Sequence, residues 1–108
     1  MSISISQATV FIEELLAVLE DVYWECSTMD LKNQCFNAVR LLQTELTELT
    51  KVSVQDHHYE YEIIAYQDNT VLETLNNLDH LLKSSVLRTR TEANLKPLFA
   101  QAMEVFSH

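Results

Sequence analysis

The absence of glycine is the feature of this 108-residue sequence that most limits its fold. Glycine accepts a positive φ without a Cβ clash, and phosphate-cradling loops, dinucleotide-binding turns and tight hairpin turns all depend on that freedom. Nucleotide-binding α/β folds therefore lose their main signature here. The chain also has a single proline, so it contains few helix breakers. Long helices joined by short polar turns are the structure we expect.

Apolar residues recur three and four positions apart, which is the spacing of amphipathic helices. Ser or Thr residues followed by an acid three positions later mark plausible helix starts. The pattern predicts helices over residues 6–25, 29–52, 54–87 and from about residue 94 onward. Short links between such helices favour antiparallel neighbours. We therefore predict an all-α fold, an up-down antiparallel four-helix bundle that forms a single domain over residues 1–108, with residues 1–5 as a loose tail.

Two positions in the last two predicted helices refine this expectation. Asp68 falls inside the apolar stripe of the third helix, and a further capping pattern, Thr70 followed by Glu73, adjoins it. We therefore expect the third helix to kink near Asn69. Pro97 belongs in the first turn of the fourth helix, because in the helix interior it would remove a backbone hydrogen bond and clash with the preceding turn.

The charge balance is strongly acidic, with 16 Asp and Glu against seven Lys and Arg and a formal net charge of −9. The basic residues are scattered, whereas phosphate neutralisation needs a basic stripe, so we expect no direct nucleic-acid partner. A basic protein partner fits this charge better. The first residues carry neither a basic region nor a long apolar run, so we expect no membrane partner and a cytoplasmic location.

Residues that bind metals or act as nucleophiles do not form a recognised pattern in this chain. Cys26 and Cys35 lie on either side of a predicted turn, and two cysteines in an unexported chain are expected to be buried, reduced thiols. His58 and Glu62 share a predicted helix face, but a metal site needs three or four converging ligands. We therefore predict no metal, no cofactor and no catalytic residue.

Trp24 is the first candidate for a binding role. About 100° of rotation per residue places it opposite the apolar stripe of the first helix. The neighbours that share this face are Glu13, Ala17, Glu20 and Asp21. A tryptophan among acids has the composition of a protein-binding hot spot with a basic partner. The alternative is that Trp24 folds under the turn at Ser27 or against the fourth helix and serves stability alone.

A second apolar line on the predicted third helix is the next candidate. Tyr59, Ile63 and Tyr66, with Leu81 further along, lie roughly opposite the inward stripe of that helix. One bundle does not easily bury both lines. We expect either self-association into a homodimer through Tyr59, Ile63 and Tyr66, or a rotation of the first half of the helix beyond the break.

The segment His80-Leu-Leu-Lys83-Ser84-Ser85 resembles the H-x-L-K-(G/S)-S segment of histidine phosphotransfer domains, which are acidic four-helix bundles of similar size. The resemblance implies that His80 carries a phosphoryl group, that Lys83 is its charge partner and that Ser84 leaves room for a response regulator. Helical geometry places His80 and Ser84 on the solvent face, in agreement with this reading.

The segment Glu45-Leu-Thr-Glu48 is similar to the first half of the carboxylate motif of MazG-type all-α nucleotide pyrophosphatases. In that family, two acids on one helix and an E-x-x-D on the next hold magnesium against the phosphates. The resemblance implies magnesium-dependent nucleotide hydrolysis with Glu45 and Glu48 as ligands.

These observations lead us to predict a non-enzymatic helical interaction protein, such as an adaptor, an inhibitor, or an immunity or antitoxin-like factor. The acidic face around Trp24, the second apolar line on the predicted third helix and the absence of a complete catalytic constellation motivate this prediction. Phosphotransfer through His80 is the first alternative, and nucleotide hydrolysis at Glu45 and Glu48 is the second.

Overall fold

The computed structural model describes residues 3–66, 69–83 and 89–106. Within this part of the chain there are four α-helices and a short 3-10 turn. The elements are α1 (Ile5–Glu25), α2 (Met29–Thr50), the turn at Val54–Asp56, α3 (Thr70–Leu82) and α4 (Thr89–Val105). The predicted all-α four-helix bundle is confirmed.

The helices pack in the order expected of an up-down bundle. Each helix contacts the next one along the chain, and α4 returns to pack against α1. The core is a continuous cluster of inward-facing apolar side chains that repeat at helical spacing. Its largest members with less than 2% exposure include Ile12, Leu15, Leu19, Leu42, Leu49, Leu75, Leu78 and Phe106.

Helix starts follow from local capping groups. The hydroxyl of Ser4 accepts a hydrogen bond from the Gln7 amide, and the Gln7 side chain accepts one from the Ser4 amide, which forms a capping box at α1. The Thr28 hydroxyl accepts from the Leu31 amide and caps α2. These caps place both starts within one residue of the predicted positions.

The prediction of a helix is wrong for the first half of the third predicted helix. Residues 57–66 are not helical. Residues 57–61 form backbone hydrogen bonds with residues 3–6 instead of the hydrogen bonds of a helix. The Tyr61 amide donates to the Ile3 carbonyl at 2.8 Å, and the Ile5 amide donates to the Tyr59 carbonyl at 2.9 Å. Within the predicted loose tail of residues 1–5, residues 3–5 are held by this pairing, so that part of the prediction is wrong, and residues 1 and 2 lie outside the described residues.

The break in the third helix is larger than the expected kink, since α3 begins at Thr70, directly after Asn69. Asp68, which suggested the break, lies outside the described residues. The position predicted for Pro97 is also wrong, because α4 begins at Thr89 and Pro97 lies in its interior. Pro97 and Ala93 are both exposed, so water can satisfy the Ala93 carbonyl that loses its amide partner.

Candidate interaction surface

The solvent-facing side of α1 keeps Trp24 in water. Its side chain is 78% exposed, so it neither folds under the following turn nor packs against α4. Glu13, Ala17, Glu20 and Asp21 are exposed on the same side, as predicted. Two further exposed residues complete what we call the outer face of α1: Val10, Glu13, Glu14, Ala17, Glu20, Asp21 and Trp24.

Helical period explains why these side chains share one face. Leu15, Leu19 and Val22 are fully buried against the other helices, and each full turn of about 3.6 residues returns the chain to that side. Ala17 and Glu20, which lie between them on the opposite side of the helix, therefore face solvent. Sequence reasoning missed Val10 and Glu14, although their spacing from Ala17 and Asp21 is seven residues, two helical turns, which was the available signal.

The Trp24 ring is exposed but held in place by neighbours. It lies edge-on to the Tyr23 ring, with centroids 5.3 Å apart and an interplanar angle of 85°. The Lys32 ammonium lies 4.5 Å from the Tyr23 centroid and 5.8 Å from the Trp24 centroid. The same ammonium donates to the Tyr23 carbonyl at 2.8 Å, near the C-terminal end of α1.

Lys32 thus fixes the end of α1 as well as its aromatic pair. A cation at a helix C-terminus interacts favourably with the carbonyls there and with the helix dipole. Sequence reasoning did not identify Lys32, because its role depends on the geometry of the turn between α1 and α2. The result is an exposed indole with a preferred position on an acidic helix.

Glu45 has a role different from the one that its motif implied. It is fully buried, and its carboxylate accepts hydrogen bonds from the Tyr61 hydroxyl, the Ile64 amide at 3.0 Å and the Ala65 amide at 2.8 Å. Burial, followed by the hydrogen bond to Glu45, raises the pKa of Tyr61, so this hydroxyl remains a proton donor. Glu45 therefore anchors residues 61–65 to α2.

The MazG-type pair is divided between two environments. Glu45 faces the interior, whereas the Glu48 carboxylate lies 3.0 Å from the Lys51 ammonium at the end of α2. Across residues 3–66, 69–83 and 89–106, no three His, Cys, Asp or Glu side chains are grouped so that they could hold a metal ion. The arrangement gives the magnesium reading no support.

His80 lies on the exposed side of α3, and Lys83 follows directly after the helix, also exposed. The two residues are three positions apart, so they share a side of the helical turn. Ser84, the third residue of the phosphotransfer motif, lies outside the described residues. The structure therefore agrees with an accessible imidazole but does not describe the complete motif.

The second apolar line does not exist as a helix face. Tyr59, Ile63 and Tyr66 lie in the non-helical segment, where Ile63 and Tyr66 are partly buried against the core, as is Leu81 on α3. Tyr59 alone of this set is well exposed, at 57%, and its ring centroid lies 4.4 Å from that of His58. The premise of a surplus stripe is wrong, and self-association through these residues stays a prediction.

Both cysteines are free and buried, as expected. The Cys26 thiol donates to the Val22 carbonyl at 2.8 Å, and the Cys35 thiol donates to the Leu19 carbonyl at 3.1 Å. Burial raises the pKa of Cys35 to about 12, and Cys26 nearby adds to the effect. The pKa of Cys26 is also raised, mainly by burial. Neutral buried thiols of this kind are poor nucleophiles.

No known family model, no curated protein and no solved structure matches this chain. Among the described residues, none of the helices combines the length and the apolar character needed to cross a membrane. The functional interpretation therefore rests on the geometry and chemistry of the chain itself.

Proposed function

We propose that this protein is a non-catalytic interaction module that binds another protein through the outer face of α1. The observation that carries the proposal is Trp24, which is 78% exposed and yet held by Tyr23 and Lys32. An exposed tryptophan leaves a large apolar surface in water. Covering it with a partner removes that surface, and a ring already in position loses less conformational entropy on binding.

The charge around Trp24 supports a basic partner. Residues 1–31 contain six acids and no Lys or Arg, and four of these acids, Glu13, Glu14, Glu20 and Asp21, lie on the outer face of α1. Such a surface accelerates encounters with a positively charged protein and repels nucleic acid and anionic membranes. An adaptor, inhibitor, or immunity or antitoxin-like role in the cytoplasm fits this chemistry, and the two reduced thiols fit that compartment.

Site-specific photo-crosslinking in extract of the native cell tests the proposal. A photoreactive amino acid replaces Ala17 on the outer face of α1 in one variant and Ala100, exposed on α4, in the other. We expect a discrete adduct from position 17 and none from position 100. Adding Trp24→Ala should remove the adduct, whereas Phe36→Ala, which alters an exposed ring on α2, should leave it. Equal adducts at both positions, or an adduct indifferent to Trp24→Ala, would contradict the proposal.

Phosphotransfer through His80 is the second candidate, because its imidazole is exposed with Lys83 one turn along. In this reaction a ring nitrogen of His80 takes the phosphoryl group of acetyl phosphate and acetate leaves. We expect a gain of one phosphoryl group by intact mass that His80→Gln abolishes and His58→Gln, at another exposed histidine, preserves. No mass gain, or a gain that survives His80→Gln, eliminates this candidate.

A further inference from the structure

The outer face of α1 carries a regular apolar line at seven-residue intervals. Val10, Ala17 and Trp24 are all exposed, with Val10 at 55% and Trp24 at 78%. Residues seven apart lie nearly above one another on a helix, and seven residues is the repeat length of coiled coils, in which this line would supply one of the two apolar positions of each heptad. The line extends along about 21 Å of helix.

Acidic side chains border this line on both sides. Glu13 and Glu20 repeat at the same interval on one side, and Glu14 and Asp21 repeat on the other. Among the described residues, two cations lie near the end of the line: Lys32 is engaged with Tyr23, and Arg90 of α4 lines a hollow together with Asp21. An apolar line between two acidic rows has the pattern of one half of a helix pair.

The apolar line and the acidic rows together favour one kind of binding partner. Heptad packing buries the apolar line only against another apolar line of matching interval, and flanking charges then choose the partner helix. A second copy of this chain would bring acids against acids along the whole length, which is unfavourable. Lys or Arg on both sides of an apolar stripe would pair with both acidic rows.

The geometry points to a basic amphipathic helix as the partner element, lying lengthwise along α1 between Val10 and Trp24. This inference rests on the proposed function and names the kind of partner that the interaction surface takes. The partner helix contributes an apolar stripe over Val10, Ala17 and Trp24 and places basic side chains beside Glu13, Glu14, Glu20 and Asp21.

A designed peptide tests the inference directly. The probe is a fluorescein-labelled helical peptide of about 21 residues with Leu at heptad positions and Lys or Arg beside them, and a scrambled peptide of equal composition is its control. Binding is followed by fluorescence anisotropy. We expect wild-type protein to bind the amphipathic peptide at least about tenfold more tightly than the scrambled one, with the affinity falling as salt rises.

Charge-reversal variants on the outer face of α1 and elsewhere on the protein distinguish binding at that face from general attraction between an acidic protein and a basic peptide. Glu20→Lys combined with Asp21→Lys should weaken binding about tenfold and allow binding of a peptide with Glu in place of its basic residues. The matched control, Glu73→Lys with Glu104→Lys, makes the same change in net charge on α3 and α4 and should change affinity less than about twofold.

Three results would overturn the inference. They are equal binding of the scrambled peptide, equal loss in the control reversal, or a dimer in sedimentation that Trp24→Ala dissociates, which would make a second copy the occupant. If the peptide does not bind while crosslinking at position 17 still captures a protein, the proposed protein-binding role is kept and only a basic helix as the partner element is excluded. If crosslinking fails as well, both proposals fall.

Discussion

The inner face of α2 and the outer face of α1 both place carboxylates among apolar side chains, yet they use them differently. On α2, Glu45 is fully buried and accepts hydrogen bonds from Tyr61 and from two backbone amides. On α1, Glu20 and Asp21 remain in water beside a tryptophan. A buried carboxylate without such donors would be costly, whereas exposed carboxylates cost little and keep their charge available.

This contrast separates the residues that hold the fold from those that are free to bind. Glu45 joins α2 to residues 61–65, and the adjoining residues 57–61 pair with residues 3–6 through backbone hydrogen bonds. Changes on the inner face of α2 should therefore appear as lost stability. Changes on the outer face of α1 should leave stability nearly constant and appear in binding.

Thiol labelling should show the largest difference between the two faces. Cys26→Ala leaves Cys35 as the single thiol, and a second variant lacking both cysteines carries Ala17→Cys instead. At a pH of about 8, Cys35 stays protonated because burial, the main cause of its raised pKa, remains without Cys26, so it reacts only when the protein opens. We expect native Cys35 to react about 10⁴-fold more slowly than position 17, in proportion to the unfolding equilibrium of an ordinary domain.

Both variants should react at similar rates in concentrated urea, which is the control for intrinsic reactivity. Rapid labelling of Cys35 in the native protein would show that the inner face of α2 opens readily, and the contrast between the faces would then fail.

Glu45→Ala should produce the largest loss of stability. The substitution leaves the Tyr61 hydroxyl and the amides of Ile64 and Ala65 without an acceptor and opens a cavity in the interior. We expect the free energy of unfolding to fall by about 3 kcal/mol or more, measured by urea denaturation. Glu48→Ala, one turn along α2, is the matched control and should cost less than about 1 kcal/mol, because its ion pair joins a half-buried Glu48 to an exposed Lys51 and both partners reach water. Equal losses would refute the anchoring role.

Tyr61→Phe should have a smaller effect, because it removes a single donor from the Glu45 carboxylate and keeps the buried ring. Hydrogen bonds to charged groups contribute about 1.5 to 3 kcal/mol, so we expect a loss of about 2 kcal/mol in the free energy of unfolding. Tyr59→Phe is the control, since Tyr59 is 57% exposed, and it should have almost no effect. A neutral result for Tyr61→Phe would mean that the two backbone amides satisfy Glu45 alone.

The sequence predicted the parts of the fold that depend on local information. The apolar spacing correctly predicted α1 and α2 as amphipathic helices, and Leu15 and Leu42 lie on their buried sides, because helical period is a property of neighbouring residues. The same period placed Trp24 opposite the apolar stripe but left its packing under the turn open, and the structure shows that it is exposed. Residues 57–66 were assigned to a helix because their local pattern allows one, but pairing with residues 3–6 and with Glu45 overrides that preference.

The anchoring role of Glu45 could not be predicted from its motif. Its donors lie 16 to 20 positions further along the chain, and only the packing of the bundle brings them to the carboxylate. The same holds for Lys32, whose contact with Tyr23 and Trp24 depends on the angle between α1 and α2. A local sequence pattern shows which residue types are present, whereas tertiary packing decides which contacts their side chains make.

Trp24→Ala should have a smaller effect on stability than Glu45→Ala or Tyr61→Phe, although it removes the largest side chain of these changes. The ring is 78% exposed and its contacts are the edge of Tyr23 and the Lys32 ammonium, so truncation removes little buried surface. We expect the free energy of unfolding to change by no more than about 0.5 kcal/mol in urea denaturation followed by circular dichroism. Leu19→Ala, also on α1 but fully buried, should cost about 3 kcal/mol and shows what a core truncation in this helix does. If Trp24→Ala approached that loss, the indole would stabilise the fold, and the main observation in favour of a partner at the outer face of α1 would be lost.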